Sequence, residues 1–441
     1  MYFLYSCVTS VVLVLASPWL AWQAWRHGKY AHNLAERLGM LPAGLNAAQR
    51  PSLWIHAVSV GEVLAARALI PGLRDRYPDL AVLVSTTTRT GRDIATRHLE
   101  GIDGLFYFPL DFAFSVRRVL ERLRPRLVVV VETEIWPRLL RECRRRHVPV
   151  VLINARVSDR SFPRYRTART LIGPVLHDFS LLCAQSARSA ERLRTMGAPA
   201  NRIVVTGSLK FDALDWSLLD RGADHPVLRV LGGATSRPVL LAASTLRGED
   251  ALVLDAFMRL RATHPDALLI LVPRHPERFD EVTALAQQRD VRVVRRSALA
   301  PDTPLEADVV VLDSMGELAA VFRLATVVFV GGSLVDAGGH NILEPALFAK
   351  PIVVGPAMSN FAEIAALFRA ADAFVQVPDG AGLTQAVLTL FDTPARREEL
   401  GARARALLDE HRGASTRTLD AIAQVLPTTS VAAHTSTGRT H

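Results

Sequence analysis

Acids, arginines and glycine turns recur where apolar runs end, which is where open α/β sheets bind ligands. In Trp54-Ile55-His56-Ala57-Val58-Ser59-Val60-Gly61-Glu62 an apolar run gives way to a small-residue turn, and the acid opens a predicted helix. Gly61 permits a tight strand-to-helix turn. Glu62 is then either an ordinary partner of the helix dipole or a general base at the strand's C-terminal end, kept ionised by that dipole. The residues leave both readings open. In Val131-Glu132-Thr133-Glu134-Ile135-Trp136-Pro137 two acids follow a fully apolar strand. Such a pair could coordinate a metal, steer an acceptor, or supply a cap for the next helix. The chain contains no Asp-x-Asp pair. A metal-free reaction is therefore expected, with Glu132 and Glu134 positioning an acceptor or serving structure.

Basic groups follow. Asn154 to Arg166 holds Arg156, Arg160, Arg164 and Arg166, with Phe162 and Tyr165 among them. A charge run is ordinarily a solvated loop; at a strand end it can also meet an anionic acceptor, for which Arg156 and Arg160 are candidates. Thr206-Gly207-Ser208-Leu209-Lys210-Phe211-Asp212 contains one of only three lysines. Lys210 either contacts an anionic ligand or closes a linker.

The second half reads as a nucleotide site. In Val272-Pro273-Arg274-His275-Pro276 two prolines stiffen a loop and Arg274 offers a planar fork suited to phosphate. Asp313-Ser314-Met315-Gly316-Glu317-Leu318 leads from a strand through a small turn into a helix, whose first N–H groups could take a phosphate or a base edge. Gly331-Gly332-Ser333-Leu334 precedes Gly338-Gly339-His340-Asn341-Ile342-Leu343-Glu344-Pro345. Asn341 and Glu344 stand three apart, on one helical face. A carboxylate there can accept both hydroxyls of a ribose while the N–H groups hold phosphate. No Gly-x-x-x-x-Gly-Lys-Ser/Thr motif occurs, which argues against an ATPase.

These groups need strands to carry them. Short β-branched runs alternate with helical patterns throughout, the mark of parallel sheets wrapped by helices. The expected architecture is α/β: two Rossmann-like doubly wound domains facing a central cleft, after an N-terminal transmembrane helix. The expected parts are an anchor at 1–25, an acceptor-binding domain at 26–213, a linker at 214–238, a nucleotide-sugar domain at 239–426 and a disordered tail at 427–441. Glu62–Tyr77 and Phe112–Leu123 are read as helices.

The anchor reading rests on residues 1–25, which lack Asp, Glu, Lys and Arg, and on the basic residues that follow directly. The positive-inside rule then places the body on the cytoplasmic side of an inner membrane. Residues 26–213 hold 30 basic and 16 acidic residues, against 22 and 27 in 214–441. A basic half beside an anchor suits an anionic lipid. Nothing resembling a nucleic-acid motif accompanies the charge, so no nucleic-acid partner is expected. The three cysteines are too widely spaced for a disulfide framework or zinc site. No cofactor is expected.

With these motifs together, the chain resembles the 3-deoxy-D-manno-octulosonic acid (Kdo) transferase family, of the GT-B glycosyltransferase fold. HAVSVGE, ETEIWP, NARVSDRSF, GSLKFD, PRHPER, DSMGEL and GGHNILEP carry the likeness, which runs to about residue 425. It implies inverting transfer of Kdo from CMP-Kdo to a lipid A precursor at the inner membrane, as a step in lipopolysaccharide biosynthesis. It implies Glu62 as the base and Pro273, Arg274, Met315, Gly316, Glu317, Asn341, Ile342, Leu343 and Glu344 as the CMP-contacting set. The competing readings are a membrane-associated transferase of the same fold using a UDP-sugar, and a non-catalytic anchored binder of anionic lipid.

Overall fold

The computed structural model describes residues 33–220, 225–234, 236–301 and 304–426. The expected anchor at 1–25 and the tail at 427–441 lie outside them. Among the described residues no helix is long and apolar enough to cross a membrane.

Contacts divide the chain into two units. The first contains a parallel sheet of seven strands: β1 (Ser52–His56), β2 (Ala81–Thr86), β3 (Gly104–Tyr107), β4 (Pro125–Val131), β5 (Val150–Ala155), β6 (Leu181–Ala184) and β7 (Ile203–Val205). Their order is β3-β2-β1-β4-β5-β6-β7, so the direction of winding reverses between β1 and β4. Helices cover both faces, which is why β1, β2 and β5 are buried along their whole length and read as continuous apolar runs. Trp54, Phe106, Val128 and Leu152 point into the core on one face; Leu53, Ile55, Val129 and Ile153 into the core on the other.

The second unit repeats the plan with β8 (Val239–Thr245), β9 (Leu268–Pro273), β10 (Val293–Arg295), β11 (Val309–Val311), β12 (Val327–Val330), β13 (Ile352–Val354) and β14 (Val375–Gln376), in the order β10-β11-β9-β8-β12-β13-β14. Here the winding reverses between β8 and β12. In both units the reversal opens a crevice beyond the strands' C-terminal ends, the position at which such sheets take ligands.

Several boundaries differ from those expected. The predicted helix Glu62–Tyr77 is two, Val60–Arg67 and Ile70–Arg76, with Pro71 in the first turn of the second, where its missing N–H costs nothing. The edge strands β3 and β14 are short, Gly104–Tyr107 and Val375–Gln376. The predicted linker 214–238 belongs to the second unit and is tied down there. Arg323 donates to the carbonyls of Leu218 and Leu219 (2.9 and 3.0 Å), and the guanidinium of Arg412 lies 3.8 Å from the centroid of the Trp216 ring.

The largest departure is at the C-terminus. The second unit ends at Arg412, and the helix Ala414–Val425 joins the first unit instead of completing the predicted domain 239–426. Leu419 and Ile422 enter the first unit's core, and Leu419 packs where a side chain on Gly72 would stand. The Tyr77 hydroxyl donates to the Leu426 carbonyl (2.6 Å), and Asp212 accepts the N–H groups of Gly413 and Ser415 (2.9 and 2.5 Å). The acid of the GSLKFD motif thus caps a helix that starts two hundred residues later.

Candidate functional site

In the first unit the loops after β1 and β4 meet at the reversal, and both carry acids. Glu62 sits in the first turn of Val60–Arg67 behind Ser59, which is extended. Its carboxylate folds back on its own turn: Val58 N–H donates to Oε2 (2.7 Å) and Ser59 Oγ to Oε1 (2.8 Å). Only 6% of the residue is exposed. Each oxygen keeps a further lone pair for a proton or a hydroxyl.

The dipole was expected to hold Glu62 ionised at neutral pH. The structure corrects this. Burial pushes its carboxyl up to about 7, outweighing the bonds from Val58 and Ser59, and the charges of Glu132 and Glu134 push the same way. Glu134 is likewise raised to about 7 by burial and by Glu132, with Trp136 drawing it down. The three acids therefore share one electrostatic neighbourhood. A carboxyl that titrates near neutrality, beside two others, is what a general base at neutral pH requires.

Backbone strain marks the same place. Glu132 adopts φ +60° and Asn154, at the end of β5, φ +52°; non-glycine residues held there carry a cost that recurs at functional sites. Asn154 Oδ1 accepts the Leu209 N–H (3.0 Å), which fixes the turn before Lys210. Neither Glu132 nor Glu134 caps the next helix, as had been one option. Asp111 does so, accepting from Arg138 N–H and Leu139 N–H (2.9 and 2.8 Å). Beneath the acids, the fully buried His56 stacks on Phe108 with ring centroids 3.8 Å apart, and Phe108 lies 4.8 Å from Trp136. Burial lowers His56 to about 3, so its ring is neutral near pH 7.

The arginine run divides. Asp159 is held by Arg188 (2.7 Å) and Arg192, and Arg156 adds its charge to the same acid. Arg160 is exposed. Lys210 lies in the short helix Leu209–Asp212.

In the second unit Pro273 ends β9, and Arg274 follows it exposed, its N–H bonded to the Thr245 carbonyl (3.0 Å). Asn341 Nδ2 donates to Glu344 Oε1 (2.9 Å), although Asn341 precedes the N-cap Ile342 of the helix Leu343–Leu347 and does not share a helical face with Glu344 as expected. Burial raises the Glu344 carboxyl, while Asn341 and the Arg274 charge oppose the rise. His340 is lowered to about 4 by burial, then by Arg274 and His275. Arg274, His340 and Glu344 are thereby neighbours. Glu317 is pinned by Arg296 (2.8 Å) and by Ser314 Oγ, leaving Met315 68% exposed above Gly316, which has φ +88°.

Part of this unit's backbone is already engaged. The backbone N–H groups of its glycine turns were read as phosphate donors. The Leu343 N–H is taken by Asn341 Oδ1 (3.1 Å). Those of Gly332, Ser333 and Leu334 are taken by the Glu249 carboxylate. The helices Leu318–Val321 and Leu343–Leu347 are single turns, too short to sum into a useful macrodipole. Glu249 and Asp250 escaped the sequence reading, although they repeat the Glu62 pattern of strand, glycine turn and acid in the first helical turn.

Known proteins place this geometry. Residues 32–213 match the family model for 3-Deoxy-D-manno-octulosonic-acid transferase (kdotransferase). The chain is 38% identical to the 3-deoxy-D-manno-octulosonic acid transferase of Haemophilus influenzae over 89% of its own length and 91% of that protein's. It is 37% identical to that of Bordetella pertussis, over 90% and 94%. Its fold is similar to a UDP-GlcNAc 2-epimerase from Neisseria meningitidis, with TM-score 0.59 at 14% identity over 85% of this chain and 99% of the other. That likeness shows a GT-B-like α/β fold and nothing of the reaction. Sequence identity at this level along nearly the whole length decides the matter: the chain belongs to the 3-deoxy-D-manno-octulosonic acid transferase family and is a glycosyltransferase that adds Kdo.

Proposed function

We propose that the donor is CMP-Kdo, that the acceptor is a sugar hydroxyl of a lipid A precursor, and that the anomeric carbon inverts. Glu62 takes the hydroxyl proton as the acceptor oxygen bonds to the anomeric carbon. The bond from that carbon to the phosphate oxygen breaks on the opposite side, and CMP leaves with the electron pair. Arg274 stabilises the charge that develops on the phosphate. Glu344, oriented by Asn341, receives the ribose hydroxyls, while Pro273, Met315, Gly316, Glu317, Ile342 and Leu343 line the cytidylate. Glu132, Glu134, Arg156, Arg160 and Lys210 orient the acceptor or the Kdo carboxylate. The apolar stretch 2–25 and the basic first half support work at the inner face of the inner membrane.

The observation that carries the reading is Glu62 itself, a buried carboxyl raised to about 7 among two further acids at the sheet's reversal point. Purified chain incubated with CMP-Kdo and a defined lipid A precursor should release CMP and add whole Kdo units to the lipid by mass spectrometry. CMP should inhibit and UDP should not. Folded protein that leaves the lipid mass unchanged would end the proposal.

A further inference from the structure

Glu249 and Asp250 open the helix Glu249–Thr263, and their side chains are almost wholly buried (0% and 1% exposed). Glu249 binds four backbone donors with one carboxylate. Oε2 accepts from Leu246 N–H (2.9 Å) and Gly332 N–H (2.7 Å); Oε1 accepts from Ser333 N–H (3.0 Å) and Leu334 N–H (2.9 Å). These donors belong to the loops after β8 and β12, the two strands at the reversal. Asp250 Oδ1 accepts from Thr245 Oγ1 (2.6 Å), and its Oδ2 pairs with the buried Arg278.

Both acids reach the nucleotide residues through one further bond. The Gly332 carbonyl, whose N–H Glu249 holds, accepts the Gly339 N–H (2.7 Å). The His340 ring lies so close that a Cβ on Gly332 would stand 2.9 Å from it. On the other side, the Thr245 carbonyl accepts the Arg274 N–H (3.0 Å) and Arg278 Nη1 (3.2 Å). There is no slack between them: a Cβ on Gly331 would meet Ser244 O at 2.6 Å and Glu249 Oε2 at 2.8 Å.

We infer that Glu249, with Asp250 beside it, is a positioning residue for the donor. It sets the loop that carries Arg274 against the turn that carries Asn341 and Glu344. Its carboxylate stands where a glycine turn elsewhere holds a phosphate, so the chain fills that place with an anion of its own and meets the donor with side chains. The inference rests on the donor assignment proposed above.

A glutamine keeps the size of Glu249 but turns an NH2 toward two N–H groups, leaving buried donors unmet. Glu249→Gln should raise the CMP Kd and the CMP-Kdo KM about tenfold and lower kcat as Arg274 shifts from the leaving phosphate, with the lipid acceptor KM within about twofold, since only the donor side is disturbed. Thr245→Val, which removes one hydroxyl bond to Asp250, should raise the CMP Kd about threefold. In the wild-type chain without ligand, hydrogen exchange at Gly332–Leu334 should be as slow as in β12, and it should quicken in Glu249→Gln. Free exchange at these amides in the wild type overturns the inference, even if the glutamine variant does not fold. So does unchanged CMP affinity in a folded Glu249→Gln or Thr245→Val chain. Wild-type protein that fails to bind CMP would remove the donor assignment instead, while the exchange result would still decide whether Glu249 clamps the loop.

Discussion

Glu62 carries the bonds of a capping acid and the protonation preference of a base. Ordinary caps are exposed and acidic; this one is buried, and desolvation with two neighbouring acids outweighs its two hydrogen bonds. The base form is the ionised one, so kcat/KM should climb with pH through about 7 and level off above it. A pH–rate profile measures this. Glu134→Gln removes one of the charges that raise Glu62, so the acidic limb should move to lower pH while the plateau survives if Glu134 only tunes the site. Glu62→Gln should cost at least about a hundredfold in kcat and leave CMP affinity intact, as loss of a general base does; calorimetry beside turnover separates the two. Of these features, the residue type and its place after a strand were legible. Its pKa was not, because burial, the main cause of the rise, is a property of the folded chain, and the acids that add to it stand about seventy residues away.

At the scale of elements, apolar runs announced most strands of both sheets, since strands buried on two faces leave little room for other residues. The edge strand β14, only Val375–Gln376, lacks that signal. Caps were the least readable feature. Asp111 satisfies the first N–H groups of Pro137–Arg145 from a different loop, and no local pattern links them. Asp111→Ala should lower stability by about 1 kcal/mol, the usual worth of a cap, seen as a lower midpoint in denaturant. It should also loosen Trp136 against Phe108, detectable as a change in tryptophan emission. The contact between Asn341 and Glu344 forms across a helix start, since Asn341 precedes the N-cap Ile342, so the shared helical face expected from their spacing is not what joins them.

At the scale of the molecule, two α/β units in series follow from the alternation of strands and helices, but the return of the chain does not. Leu419, Ile422 and Leu426 are buried on the first unit, and each such side chain contributes roughly 1.5–3 kcal/mol. A chain ending at Arg412 should therefore bind a hydrophobic dye and melt early in its first unit, while the second, which loses nothing, keeps its transition in calorimetry. Two separate transitions that match those of the full chain would disprove this dependence.

The excursion from Ala213 to Gly413 also orders events during synthesis. A ribosome releases the N-terminal sheet early, yet the helix that seals it emerges only after the whole second unit. Until the intervening residues 214–412 are made, the nascent sheet lacks the helix that covers its apolar seam. Any product cut short before Ala414 lacks the side chains of Leu419 and Ile422 that close the first unit's core.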